Sequence, residues 1–256
     1  MAAADVSTKR FEALRERLSV QRIKGLDGLR GVSLMVVAAT HLKLVPGHVS
    51  LIYFFMLSGF LITWLLLEEE KRYGKASIGR FYGRRVLRVF PLYYLALLAV
   101  VFVFPPTMGP LTDSHVTSAY FYYSNYYQSL YGTTHGSISH YWSLAVEEQY
   151  YLIWPVAFAF LGRWRAHALV VAIVAVWVRR IYVTWWLGDL NWAYHAFDCR
   201  ADHILVGTLA AVWIHAGVGA QVWERMLSAR VGRWSLIMII ALSFVGAEIG
   251  KPFRFG

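Results

Sequence analysis

Continuous apolar blocks close to twenty residues long recur along this chain, and they limit its possible folds more than any other feature. They lie at roughly 29–45, 50–67, 90–104, 141–161, 168–187, 201–216 and 234–249. A spanning α-helix needs about 20 apolar residues to cross a hydrocarbon core ~30 Å thick. A membrane barrel would instead alternate apolar and polar residues in ~10-residue strands. The stretch "AHALVVAIVAVWV" has no such alternation. The pattern predicts an all-α polytopic transmembrane bundle with about 7–8 spans. The doubtful eighth is 118–131, "SAYFYYSNYYQSLY", whose tyrosines fit an interfacial aromatic belt as well as a span.

Charge is scarce and placed between the blocks. Only 16% of residues are charged, against about a quarter in soluble domains. Residues 9–30 hold seven Lys or Arg and 71–88 hold seven more, and then none occurs until Arg163. The positive-inside rule puts the N-terminus and the 68–90 segment in the cytoplasm, with 43–50 and much of 105–140 outside. The expected location is the inner membrane, multi-pass. The formal net charge of +10 is explained by this topology, and no nucleic-acid partner is expected. Phe11, Leu14 and Leu18 amid basic residues predict an amphipathic helix on an anionic lipid surface. Residues 1–22 are therefore read as a cytoplasmic amphipathic segment and 23–256 as the membrane domain. The single cysteine, Cys199, permits no internal disulfide or cysteine-type metal cluster, and no metal is expected.

The first block raises the question of chemistry. "LDGLRGVSLMVVAATHLK" carries Arg30 near its start and His41 near its end, with ten residues between them. On a helix, eleven positions are three turns plus about 20°, so the two share a face ~16 Å apart. Ionisable groups inside a membrane usually line a cavity, and histidine titrates where proton transfer is useful. The competing reading is a snorkelling arginine and an interfacial histidine.

Other motifs follow. In "IGRFYGRRVLRVFPLYY", Arg84, Arg85 and Arg88 stand at helical spacings and either hold phosphate oxygens or act only as a stop-transfer cluster. In "HYWSLAVEEQYYLIWP", Glu147 and Glu148 are adjacent, so one is expected to turn inward and the other to stay at the interface. In "FDCRADHILVGTLAA", Arg200 and Asp202 are either a structural pair or substrate-binding groups. Arg179 and Arg180 interrupt block 168–187.

In this order, the stretches "GLDGLRG…H", "FFMLSGFLIT", "FYGRRVLRVFPLYY", "YWSLAVEEQYYLIWP" and "RADHILVGTLAA" resemble the acyltransferase family 3 membrane proteins, the group containing O-antigen and other cell-surface O-acetyltransferases. The likeness runs from about residue 23 to about 211. It implies typically ten spanning helices and transfer of an acyl group, usually acetyl from acetyl-CoA, to a hydroxyl of a carbohydrate or glycolipid acceptor. Acetyl-CoA would be a co-substrate, with no permanently bound cofactor. Carried over by motif, Arg30 and His41 match the essential arginine–histidine pair, with His41 as general base. Arg85 and Arg88 match the arginine-x-x-arginine motif, and Glu147 matches the glutamate of the tryptophan-serine-leucine segment. The sequence stops where the family would continue, so the domain is expected to be incomplete at its C-terminus. Direct transfer and an acyl-histidine intermediate both stay open. So does a transporter or binding protein for an anionic substrate that performs no transfer.

Overall fold

A computed structural model describes residues 49–102, 112–132 and 138–219. Every regular element among them is helical. They are α1 (Val49–Tyr73), α2 (Ile78–Phe102), α3 (Asp113–Tyr120), α4 (Ser124–Tyr131), α5 (Tyr141–Leu161), α6 (Arg165–Tyr182), α7 (Leu190–His195), α8 (Phe197–Arg200) and α9 (Asp202–Ala216). Among the described residues, three stretches are long and apolar enough to cross a membrane: Leu51–Tyr73, Ile78–Phe102 and Tyr141–Leu187. The last runs for 47 residues, or ~70 Å of helix, and comprises α5, a 3₁₀ turn at Gly162–Trp164, α6 and a π-helical turn at Val183–Leu187. The blocks at 29–45 and 234–249 and the segment 1–22 lie outside the described residues.

Two boundaries differ from the sequence reading. α2 begins at Ile78, a dozen residues before its apolar block, so Arg80, Arg84, Arg85 and Arg88 belong to the helix itself. Long arginine stems let the charged heads reach polar surroundings from helical positions. The tyrosine-rich stretch is two eight-residue helices, each only ~12 Å long and too short to cross. Between them Tyr122 takes a φ of 55°, an uncommon conformation for a residue with a β-carbon. Its ring stacks on Tyr93, centroids 4.2 Å apart, and its carbonyl accepts from Gln149 Nε2 at 2.9 Å. These contacts hold the corner.

The chain divides into two compact units, one holding the described residues 49–64 and 207–219, the other residues 65–206. In the first, α1 and α9 meet backbone to backbone. A Cβ at Gly207 would land inside the Met56 carbonyl, so only glycine permits that approach. Trp64 is fully buried and meets the edge of His215 at 5.4 Å.

The larger unit has two unlike ends. At one end the end of α1, the start of α2 and the α5–α6 turn gather the charges Glu69, Glu70, Arg80, Arg84 and Arg165. At the other, α4 packs on α5 and α7, and α8 packs on α6. Trp142 near the start of α5 meets Tyr194 and His195 of α7, while Arg179 near the end of α6 meets Asp198 of α8. α5 and α6 therefore fold back on each other. The short helices reverse the usual polarity. Ser124, Asn125, Gln128 and Ser129 of α4 are buried, while Tyr120, Phe121, Leu130 and Tyr131 face out. Leu87, Leu92, Leu95 and Phe102 of α2 face out too. Such surfaces suit hydrocarbon and the bilayer interface.

Candidate functional site

The charged residues of α2 and α5 meet in mid-helix. Arg85 turns inward, its Nη2 donating to Glu148 at 3.1 Å, with both side chains 16% exposed. The guanidinium carbon stands 3.5 Å from the centre of the Tyr151 ring. Stacking and a carboxylate partner together suit a guanidinium held away from bulk water. Arg85 Nε is buried with no acceptor, so the pair does not exhaust its donors. Arg84 and Arg88, one turn apart, both face out. Arg84 reaches Glu69 at 3.3 Å while remaining 62% exposed. The arginine cluster is thus split, with one arm in the helix interface and two on the surface.

Of the paired glutamates, Glu147 is buried, and Glu148 does not remain at an interface but binds Arg85. Glu147 is thus enclosed and Glu148 half-enclosed, because α2 and α4 both pack on α5. The next residue, Gln149, exchanges hydrogen bonds with the Asn125 side chain at 2.8 and 3.1 Å, tying α4 to α5.

Arg200 and Asp202 are close in sequence but have different partners. Asp202 is buried and accepts from Trp177 Nε1 at 3.0 Å and from both Nη atoms of Arg180 at 2.9 and 3.2 Å. His203 Nδ1 lies 2.9 Å from its other side. Arg200 instead lies over Tyr194 at 4.5 Å and Trp142 at 5.9 Å. The expected Arg200–carboxylate pair is replaced by Arg180–Asp202, because α6 runs alongside the α8–α9 corner and offers Arg180 first. Arg179 pairs with Asp198 at 2.9 Å, so both arginines that interrupt the 168–187 block have acidic partners.

Between these groups sits His195, 3% exposed. Its Nδ1 is 3.0 Å from the Asn191 carbonyl, which makes Nδ1 the donor and Nε2 the acceptor in the neutral ring. Burial pushes its pKa down to about 4, and nearby Arg200 adds to the lowering. Cys199 is buried, its thiol pushed up to about 11 chiefly by burial, which keeps it from the thiolate form a nucleophile needs.

Arg30 and His41 lie outside the described residues. The ring set Trp142, Tyr194 and His195 carries no mark in the sequence, while Glu148 and Arg180 stand out there without their partners. A signal existed for Glu148, the carboxylate next to the motif glutamate.

A family model described as an acyltransferase domain, family 3, matches residues 23–251. The chain belongs to that family. It is 31% identical over 220 residues to the peptidoglycan O-acetyltransferase OatA of Listeria monocytogenes, covering 77% of this chain and 35% of that protein. It is 30% identical over 227 residues to the O-acetyltransferase OatA of Staphylococcus aureus, covering 81% and 38%. The putative peptidoglycan O-acetyltransferase YrhL of Bacillus subtilis is 31% identical over 212 residues, covering 75% and 33%. The chain thus spans about a third of the length of the curated relatives it matches. No solved structure matches it.

Proposed function

We propose that this acyltransferase family member moves an acetyl group from acetyl-CoA to a hydroxyl of a cell-wall carbohydrate, peptidoglycan being the first acceptor to test. The observation that carries the reading is the family match over residues 23–251, joined to relatives whose names specify peptidoglycan O-acetylation. The half-buried Arg85–Glu148 pair, set in a helix interface beside Tyr151, supports a site that must hold charge away from water. The protein sits in the inner membrane with residues 1–22 on the cytoplasmic face. The membrane domain begins near residue 23.

His41 accepts the acceptor's hydroxyl proton as its oxygen attacks the thioester carbonyl. The carbon–sulfur bond then breaks, and the CoA thiolate takes the proton back from the imidazolium. Acetyl ester and free CoA are the products. Such general-base help is worth roughly 10²–10⁴-fold. Arg84 and Arg88, outward on α2, bind the phosphates of CoA. Arg85, fixed by Glu148, and Arg30 polarise the thioester carbonyl, while Glu147 orients His41.

The test is release of free CoA from acetyl-CoA by the purified full chain in lipid nanodiscs, with and without peptidoglycan fragments. Acceptor-dependent release is expected. His41→Ala should abolish it, and the double variant Arg84→Gln, Arg88→Gln should raise the KM for acetyl-CoA. A folded wild-type protein that releases no CoA with any glycan overturns the reading.

A further inference from the structure

The short-helix end holds three arginines and treats one of them differently. Arg179 and Arg180 each have an aspartate at 2.9 Å. Arg200 has no carboxylate within 4 Å among the described residues. Asp202, two positions on, cannot serve it. Two carboxylate oxygens offer about four acceptor sites; Trp177 and both Nη atoms of Arg180 occupy three, and the His203 ring stands 2.9 Å from Oδ1. Asp198 is likewise taken, by Arg179 and by Trp192 Nε1 at 3.1 Å.

What Arg200 has is two ring faces, Tyr194 and Trp142, and an Nε that is buried with no acceptor. Burial lowers its pKa from the usual guanidinium range, as expected of a charge that its surroundings do not fully compensate. A half-buried cation whose Nε is left this way is costly to a fold, and inside membrane proteins such groups commonly serve a ligand. A cluster of aromatic rings lies beside Arg200. The Trp142 and Tyr194 rings stand 5.2 Å apart at 53°. The His195 ring meets both edge-on, at 5.1 and 4.8 Å, and its Nε2 is an acceptor for a hydroxyl proton.

We propose that Arg200 receives an anionic group, carboxylate or phosphate, on the acceptor, with the sugar that bears it lying against the outer side of the Trp142–Tyr194–His195 ring cluster. This rests on the acyltransferase reading for calling the ligand an acceptor, and it narrows that acceptor to an anionic glycan. Asp202 then acts indirectly. By occupying Arg180 it leaves Arg200 for the ligand.

Binding to the full chain in nanodiscs, followed by tryptophan fluorescence, tests this without requiring turnover. Three probes are compared: a glucosamine–muramic acid disaccharide with its free carboxylate, the methyl ester of that disaccharide, and N-acetylglucosamine 1-phosphate. Arg200→Met should weaken an anionic probe by roughly ten- to a hundredfold, the scale of a charged hydrogen bond, and leave the ester unchanged. If the disaccharide shows the effect, the receptor takes a carboxylate. If the sugar phosphate does, it takes a phosphate. Should Arg200→Met fail to fold, Arg200→Lys, which keeps the charge but loses the fork, should still weaken the anionic probe severalfold and spare the ester. Equal losses for anionic and neutral probes, unchanged affinity for both, or no binding of either anion by the wild type would overturn the proposal. Arg200-dependent binding without CoA release would sink the acyl-transfer reading and leave this receptor standing. CoA release with binding indifferent to Arg200 would do the reverse.

Discussion

The two ends of the 65–206 unit hold charge in opposite ways. At the basic end, Arg80 and Arg84 share Glu69 while remaining 60% and 62% exposed, and Arg88 projects outward. These are exposed charges free to exchange partners. At the short-helix end, Arg180, Asp202 and His195 are set among helices and rings, and Arg180, Asp202 and the Nδ1 of His195 each have a particular partner. Exposed ion pairs contribute little because water and salt compete with them. Withdrawn charges must be matched one by one or they cost several kcal/mol. The first arrangement suits an end that receives a highly charged soluble donor, the second an end that selects one ligand.

The largest effect should come from the residue that crosses this division. Arg165 belongs to the basic end by sequence, yet it is buried, donates to Glu70 through both Nη atoms at 2.6 and 2.8 Å, and lies 3.5 Å from the Phe158 ring centre. Its Nε reaches the Phe158 carbonyl at 2.9 Å. Arg165→Ala should cost about 4 kcal/mol, the range for breaking a buried pair, read as a fall in the melting temperature of the detergent-solubilised protein. A loss under about 1 kcal/mol would place Arg165 with the exposed arginines.

His195 sharpens the other side. Its folded pKa of about 4 lies below the ordinary histidine value of 6.5. Between those values the unfolded chain binds a proton that the folded chain refuses. The stabilisation is therefore complete above about pH 6.5 and is lost as pH falls toward 4. The full shift corresponds to about 3 kcal/mol. Carboxylates titrate in the same window, so the measurement is a difference. Melting temperatures from pH 7.5 to 4.5 should fall more steeply for the wild type than for His195→Asn. Parallel slopes would mean that the imidazole reaches water.

Asp202→Ala should cost less, about 2 kcal/mol. It removes hydrogen bonds from Trp177 and Arg180, but the Arg180 side chain is 31% exposed and can recover water. The same variant frees Arg180 to compete with Arg200 for an anionic ligand, so melting and anion binding should both change. A stability loss with unaltered binding would separate the two arginines.

These cases mark what could be read from the sequence. Helices were legible wherever an apolar block was long, and α5 matches its block at 141–161. The start of α2 was not, because hydropathy falls where arginines enter a helix that continues regardless. The break at Tyr122 was hidden as well, since no glycine or proline marks that turn. Motif positions were legible in kind, but their partners were not. Arg85 and Glu148 are 63 residues apart in sequence, and Arg180 and Asp202 are 22 apart. Only the packing of α2 on α5 and of α6 on the α8–α9 corner brings each pair together. Adjacency in sequence favoured Arg200 for Asp202, and geometry assigned Arg180.

The smallest effect belongs to Glu69, and its size is what tests the comparison. Both of its arginine partners are mostly exposed, so Glu69→Gln should change stability by less than about 1 kcal/mol, and by less still in 0.5 M salt. Its effect on donor binding should exceed its effect on the fold. Glu69 competes with any anion for Arg80 and Arg84, and removing its charge leaves both arginines more available. The KM for acetyl-CoA should therefore fall about twofold at low salt and converge with the wild type at high salt. A stability loss as large as that of Arg165→Ala, or a rise in that KM, would show that Glu69 organises the basic end as a fixed structure, and the contrast between the two ends would no longer hold.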